Sequence, residues 1–280
     1  MTTKELTIRA EHIRESVIEM LLEAGSGHSA GPLGMADIFA VLYFDVLNIK
    51  PENPKWAERD RLVLSNGHIC PVLYAAMAHR GFFEKEQLMT LRKLHSHLQG
   101  HPHNLELAGI ENSSGPLGQG LSQAIGMALT AKMDNKKWHT FAMLSDGEHD
   151  EGQTWEAIMF AGSRALSNLT VVVDRNNIQI DGTTDHVMNL EPFIMKYMAF
   201  NWNVIEIDGN NIEEIVSAFK SAKAIINKPT VIIAKTIPGK GVKFIENDYE
   251  WHGKVPNEEQ AQKALREIRT MSGKIKSLHE

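Results

Sequence analysis

Two oxygen-bearing side chains, Asp146 and Asn176, stand thirty positions apart, each just after a short apolar run. Asp146-Gly147 follows His139–Leu144, and Asn176-Asn177 follows Leu169–Val173, with one helical pattern between them. In a strand-helix-strand unit both would arrive at the same edge of a sheet. A carboxylate and an amide carbonyl are hard donors that suit Mg²⁺, Ca²⁺ or Mn²⁺ rather than zinc. A cation held by so few protein groups completes its shell with phosphate oxygens. Gly147 lets a diphosphate approach the backbone, and the helix after it offers a positive end to the anion. Taken one at a time, Asp-Gly is also a common turn and Asn-Asn a common loop.

Histidines supply a second kind of chemistry. The chain holds 13 of them with 21 glycines, and several sit in Gly- or Pro-containing segments instead of on periodic helices. These include Ser26-Gly27-His28, Ser65-Asn66-Gly67-His68, Gly100-His101-Pro102 and Trp251-His252-Gly253. Neutral imidazole near pH 7 accepts protons, donates them and hydrogen-bonds hydroxyls. His12, His79, His95, His97, His139 and His186 are read as surface or structural residues.

The elements that must position these groups follow from periodicity. Residues 4–24 carry Ile13, Val17, Met20, Leu21 and Ala24 at helical spacing, with Gly25 as a stop. Helices are expected over 35–47, 71–79, 118–132, 154–165 and 212–226. Strands are expected over 61–64, 139–144, 169–173, 202–207 and 230–234. Residues 95–120 hold few periodic apolar positions and read as a long functional loop. Strand-helix alternation implies an α/β fold, a doubly wound, mostly parallel sheet with helices on both faces. Ligands in such sheets bind at the carboxyl ends of the strands. Residues 1–255 are read as the binding domain and 256–280 as a helical tail of that same domain.

Bulk properties exclude several classes. With 42% hydrophobic and 23% charged residues the composition is that of a soluble globular protein. A net charge of −6 argues against nonspecific nucleic-acid binding. Cys70 is the one cysteine, so no intrachain disulfide can form. The polar start and the lack of a long apolar run point to a cytoplasmic protein without a membrane span.

The segment from Leu144 to Gly182 resembles the thiamine-diphosphate signature, Gly-Asp-Gly followed by Asn one strand-helix unit later, with Ser145 at the first glycine. The resemblance implies that Asp146, Asn176 and the main-chain carbonyl of Ile178 hold the metal, with Gly147 against the diphosphate. Further segments resemble transketolase. They are Ser26-Gly27-His28 with Gly31–Asp37, Arg59–His68, Gly100-His101-Pro102, Ser114–Gly120, and Trp251-His252-Gly253 after Lys235–Gly241. Their order agrees with that family over about residues 5 to 255.

Transketolases move a two-carbon ketol unit from a ketose to an aldose. By resemblance, His28 and His252 flank the donor sugar and assist proton transfer, His252 also touching the cofactor. His101 meets the first hydroxyls, His68 lies near the diphosphate, and Gly115, Pro116 and Leu117 line the cofactor. Glu151 and Glu156 would bridge two protomers, or else simply favour a helix start. Transketolases are much longer, and their second domain binds the aminopyrimidine ring, supplies the activating glutamate and holds most of the sugar phosphate. We therefore expect an N-terminal subunit of a split transketolase. It would be completed by a separate C-terminal subunit in a heterotetramer of two such pairs and would act on sugar phosphates, with pentose phosphates the default. The rival readings are another thiamine-diphosphate enzyme (the first component of a 2-oxo acid dehydrogenase, or a 1-deoxyxylulose-5-phosphate synthase) and a non-catalytic subunit that keeps the fold.

Overall fold

The structure, a computed structural model, describes residues 1–279. In chain order, Thr3–Ala24 forms helix α1, Ala30–Gly34 α2 and Ala36–Val41 α3, the last running into a π turn over Leu42–Val46. Arg61–Leu64 is strand β1 and Cys70–Arg80 is α4. Gln119–Met133 (α5), Thr140–Ser145 (β2), Gly152–Ser163 (α6) and Leu169–Asp174 (β3) follow. A small hairpin, Ile178–Gln179 (β4) and Gly182–Thr183 (β5), leads to the short helices Thr184–Val187 (α7) and Phe193–Ala199 (α8). Asn203–Asp208 (β6), Ile212–Ala224 (α9), Thr230–Lys235 (β7) and Glu258–His279 (α10) complete the chain.

Strands β1, β2, β3, β7 and β6 lie side by side in that order, all parallel. Alternate residues of each strand part into two cores. Phe141, Met143, Val172 and Ile232 enter one core with α1, α3, α4 and α9. Ala142, Leu144, Val171, Val173, Val231 and Ile233 enter the other with α5, α6 and α8. A sheet covered on both faces needs apolar residues at every position, which is why these strands read as unbroken apolar runs without alternation. The architecture is the doubly wound α/β sheet expected.

The differences from expectation are local. Helix starts at Ala30, inside the Gly-Pro loop, because Pro32 falls in the first turn where a missing N–H costs nothing. The hairpin β4–β5 and helix α8 are too short to show a period. Helix α10 lays Ala261, Ala264 and Ile268 into the same core as α1. Among the described residues no helix is long and apolar enough to cross a membrane.

One buried ion pair fastens the amino-terminal helices to the rest. The Arg14 guanidinium on α1 holds Asp37 of α3 with both terminal nitrogens and also donates to the Leu33 carbonyl (3.1 Å). The Asn210 amide, after β6, donates to Asp37 (2.8 Å) and to Gly34 O (2.9 Å), and its oxygen accepts the Ile237 N–H (2.8 Å). Removing one partner of a buried pair strands the other charge. Arg14→Met is expected to lower unfolding free energy by about 3 kcal/mol, measured by urea denaturation, and Arg14→Met/Asp37→Leu to recover much of it.

Candidate active site

Parallel pairing of β2 with β3 sets Ser145 opposite Asp174, so the segments after them leave the carboxyl edge together. Asp146 N–H donates to Asp174 O (3.2 Å). The Asp146 carboxylate accepts the Gly147 N–H (2.8 Å), the Asn177 N–H (2.7 Å) and an N–H of Arg175 (3.1 Å). The Asn176 amide donates to Asp174 Oδ2 (2.7 Å) and accepts the Ile178 N–H (3.0 Å), folding residues 174–178 into a tight turn. Burial raises Asp146 to about 6, against the pull of Arg175 and the two N–H groups. Burial likewise raises Asp174 to about 7, opposed by its hydrogen bond from Thr236 and reinforced by nearby Asp146.

Two buried carboxylates so close together favour a further cation. The donors present are carboxylate, amide and backbone oxygens, the set for Mg²⁺, Ca²⁺ or Mn²⁺. Among the described residues no group of three His, Cys, Asp or Glu side chains could hold a metal alone. An ion here therefore draws part of its shell from a ligand, as a diphosphate-bound ion does. The residues fit the cofactor that their sequence implies.

Glu148 ties three loops into one wall. Its buried carboxylate accepts from Ser65 Oγ, from Gly118 N–H (2.6 Å) and from Ser145 N–H (3.2 Å). Ser65 Oγ in turn accepts the Gly120 N–H (3.1 Å), and a Cβ on Gly120 would meet Ser65 at 2.5 Å. A Cβ on Gly67 would meet Ser114 Oγ at 2.5 Å, so the Ser-Asn-Gly-His and Ser-Gly-Pro segments can lie together only with glycine there. His149, wholly inside, pairs one ring nitrogen with the Ser145 carbonyl (2.9 Å) and the other with the Tyr197 hydroxyl (2.7 Å). Burial lowers it to about 4, which keeps it neutral.

A cleft of about 460 Å³ opens at this edge. His28, His68, His101 and His252 border it, with Gly115, Leu117, Gly147, Asn176 and Ile178. The rings of His28, His68 and His252 form a triangle with centroids 5.0, 5.4 and 5.1 Å apart. Desolvation lowers all four histidines, and the charge of neighbouring imidazoles lowers His28 and His68 further, His28 to about 4. All four are therefore neutral at pH 7. His28 Nδ1, both polar atoms of Asn66, and Ser114 Oγ are buried without a protein partner, the condition of groups that face a polar ligand.

The structure thus brings together most of the expected site. Pro116 is exposed and outside the lining, and Asp146 lies behind the cleft wall instead of in it. Glu151 and Glu156 are exposed on α6. Glu148, His149, Asn66 and Arg175 escaped sequence reasoning. Glu148 and His149 directly follow Asp146-Gly147, so proximity to that motif is the one signal that could have drawn attention to them. Arg175 has no local signature.

A family model described as transketolase, thiamine diphosphate binding domain, matches residues 6–274. One of the two subunits of apulose-4-phosphate transketolase from Phocaeicola vulgatus is 39% identical over 268 residues, covering 96% of this chain and 95% of that one. The 6-deoxy-6-sulfo-D-fructose transketolase subunit of a Clostridium species is 44% identical over 264 residues, covering 94% and 96%. The crystal structure of Campylobacter jejuni transketolase superposes with a TM-score of 0.86 at 32% identity, over 99% of this chain and 48% of that one. The chain therefore spans about half the length of that transketolase.

The folded chain holds His28 below its unfolded value, so between pH 4 and 6.5 the unfolded state binds more protons and stability falls as pH falls. His28→Asn is expected to flatten the loss of melting temperature between pH 6.5 and 4, read by calorimetry at stepped pH. Glu148→Gln leaves one donor facing the N–H groups of Gly118 or Ser145; it is expected to cost about 2 kcal/mol of stability, measured by chemical denaturation.

Proposed function

This chain belongs to the transketolase thiamine diphosphate binding family, and on that premise we propose that it is the N-terminal subunit of a split transketolase. The observation that carries the reading is the shared cleft, where an oxygen-donor edge from Asn176 and Ile178 faces a cluster of neutral histidines. Support for a split enzyme comes from coverage. Two relatives named as subunits match along 95% and 96% of their length, whereas rat transketolase matches along 41% of its own.

In this reading Asp146, Asn176 and the Ile178 carbonyl hold a divalent metal, Mg²⁺ by default with Ca²⁺ or Mn²⁺ able to replace it. Gly147 and His68 lie along the diphosphate, and Gly115, Pro116, Leu117 and His252 along the rest of the cofactor. Bound thiamine diphosphate supplies the carbanion that adds to the donor ketone. The protein's share is proton handling and placement. As the sugar's carbon–carbon bond breaks, the neighbouring hydroxyl gives its proton to a neutral imidazole, His28 or His252, and receives it back in the reverse direction. Neutrality at pH 7 is what lets either ring accept. His101 hydrogen-bonds the first hydroxyls of the donor and fixes its approach.

A second chain, carrying the pyrimidine-binding and C-terminal domains, completes each site. Glu151 and Glu156, exposed on α6, bridge protomers in a heterotetramer. Residues 1–255 and the helical tail act as one domain, in a cytoplasmic enzyme for sugar phosphates or closely related sugars.

The test is reconstitution. This chain alone is expected to show negligible ketol transfer and the co-purified pair to show turnover; full activity of the isolated chain would overturn the split reading. Chelation should abolish the activity of the pair, and Mg²⁺, Ca²⁺ or Mn²⁺ should restore it. Release of CO₂ from pyruvate without ketol transfer would instead mark a different thiamine-diphosphate enzyme.

A further inference from the structure

Beside the catalytic cleft a basic side chain is held in place without a partner. Arg92 adopts a left-handed backbone conformation, φ 60°, which is uncommon for a residue with a side chain and clusters at functional sites. The loop that imposes it is closed: Arg92 N–H donates to Leu98 O (2.9 Å), Ser96 N–H to Lys93 O (3.1 Å), and the Thr90 and Ser96 hydroxyls pair at 2.7 Å.

From this fixed base the guanidinium lies against two glycines. A Cβ on Gly100 would meet its Cζ at 2.8 Å, and a Cβ on Gly27 would come within 3.9 Å of its Nε. Those glycines directly precede His101 and His28, the two histidines placed against the donor sugar. The neighbouring charges are already matched. Lys93 pairs with Glu23, and Glu106 pairs with His97 (3.3 Å). Arg92 itself remains exposed and makes no side-chain hydrogen bond or ion pair among the described residues. It lines a groove of about 590 Å³ next to the cleft, with Gln99 and Gly100.

We propose that Arg92 is a specificity-determining residue that receives the anionic end of the sugar, so that this chain shares in reading the charged terminus instead of leaving it to its partner. The planar fork of donors on a guanidinium matches a tetrahedral oxyanion, whether phosphate or sulfonate. The proposal rests on the split-transketolase reading.

The experiment compares donors on the complex with its partner chain: D-fructose 6-phosphate, 6-deoxy-6-sulfo-D-fructose and uncharged D-fructose, with one common aldose acceptor. In Arg92→Gln, KM for whichever charged donors the unaltered complex uses is expected to rise on the order of tenfold, with kcat and the constants for D-fructose little changed. A rise confined to the phosphate or to the sulfonate identifies which anion the site serves. Arg92→Lys should recover part of the loss, because it keeps the charge without the fork. Equal loss on charged and uncharged donors would reduce Arg92 to a spacer between the two glycine segments and overturn the assignment, as would no change on any donor. Failure of the unaltered complex to transfer ketol units would instead sink the functional reading, and this assignment with it.

Discussion

The in-register parallel pairing of β2 with β3 is the constraint on which the rest of the site depends. With Ser145 opposite Asp174, the chain has no choice but to release Asp146 and the turn of Arg175–Ile178 next to each other. The Asn177 N–H then reaches the Asp146 carboxylate, and the Asn176 side chain closes its own turn on Asp174 and Ile178. A slip of one residue would turn alternate side chains of β2 to the opposite core, exchanging Phe141 and Met143 with Ala142 and Leu144, so core packing itself enforces the register. The geometry of a metal site is thereby fixed by residues that never touch the metal.

Burial is used for opposite ends in the two halves of the cleft. On the oxygen edge it raises Asp146 and Asp174, creating a demand for positive charge that Arg175 meets only in part. On the imidazole edge it suppresses protonation, and mutual repulsion among His28, His68 and His252 suppresses it further. One side therefore attracts a cation while the other stays uncharged and basic. Both conditions are needed where an anionic cofactor sits beside a group that must take up a proton, and both arise from desolvation at a single sheet edge.

Close backbone approach is the second theme. Gly67 against Ser114, Gly120 against Ser65, and Gly27 and Gly100 against Arg92 each mark a place where a side chain would hold two loops apart. Glu148 then binds the loops that glycine allows to meet, accepting from three of them at once. The wall of the cleft is thus made of irregular backbone, rigid because its hydrogen-bonding groups converge on one buried carboxylate.

Much of this was legible in the chain. The apolar runs around Val63, Leu144, Val172 and Ile232 could only be strands buried on both faces, and the Asp146–Asn176 spacing with four Gly- or Pro-linked histidines pointed to one diphosphate site. Those features are local: a period, a spacing and a residue type each suffice to state them. The hairpin at Ile178–Thr183 and helix α8 were not legible, since a few residues carry no period. Nor were the roles of Glu148, His149, Arg175 and Arg92, or the withdrawal of Asp146 behind the cleft wall. Residue types and spacing determined which groups could do chemistry and at which edge of the sheet. Only the tertiary structure decided which of them are desolvated, which are tied to one another and which still lack a partner, because burial and pairing belong to atoms far apart in the chain that meet only when the two cores close on the sheet.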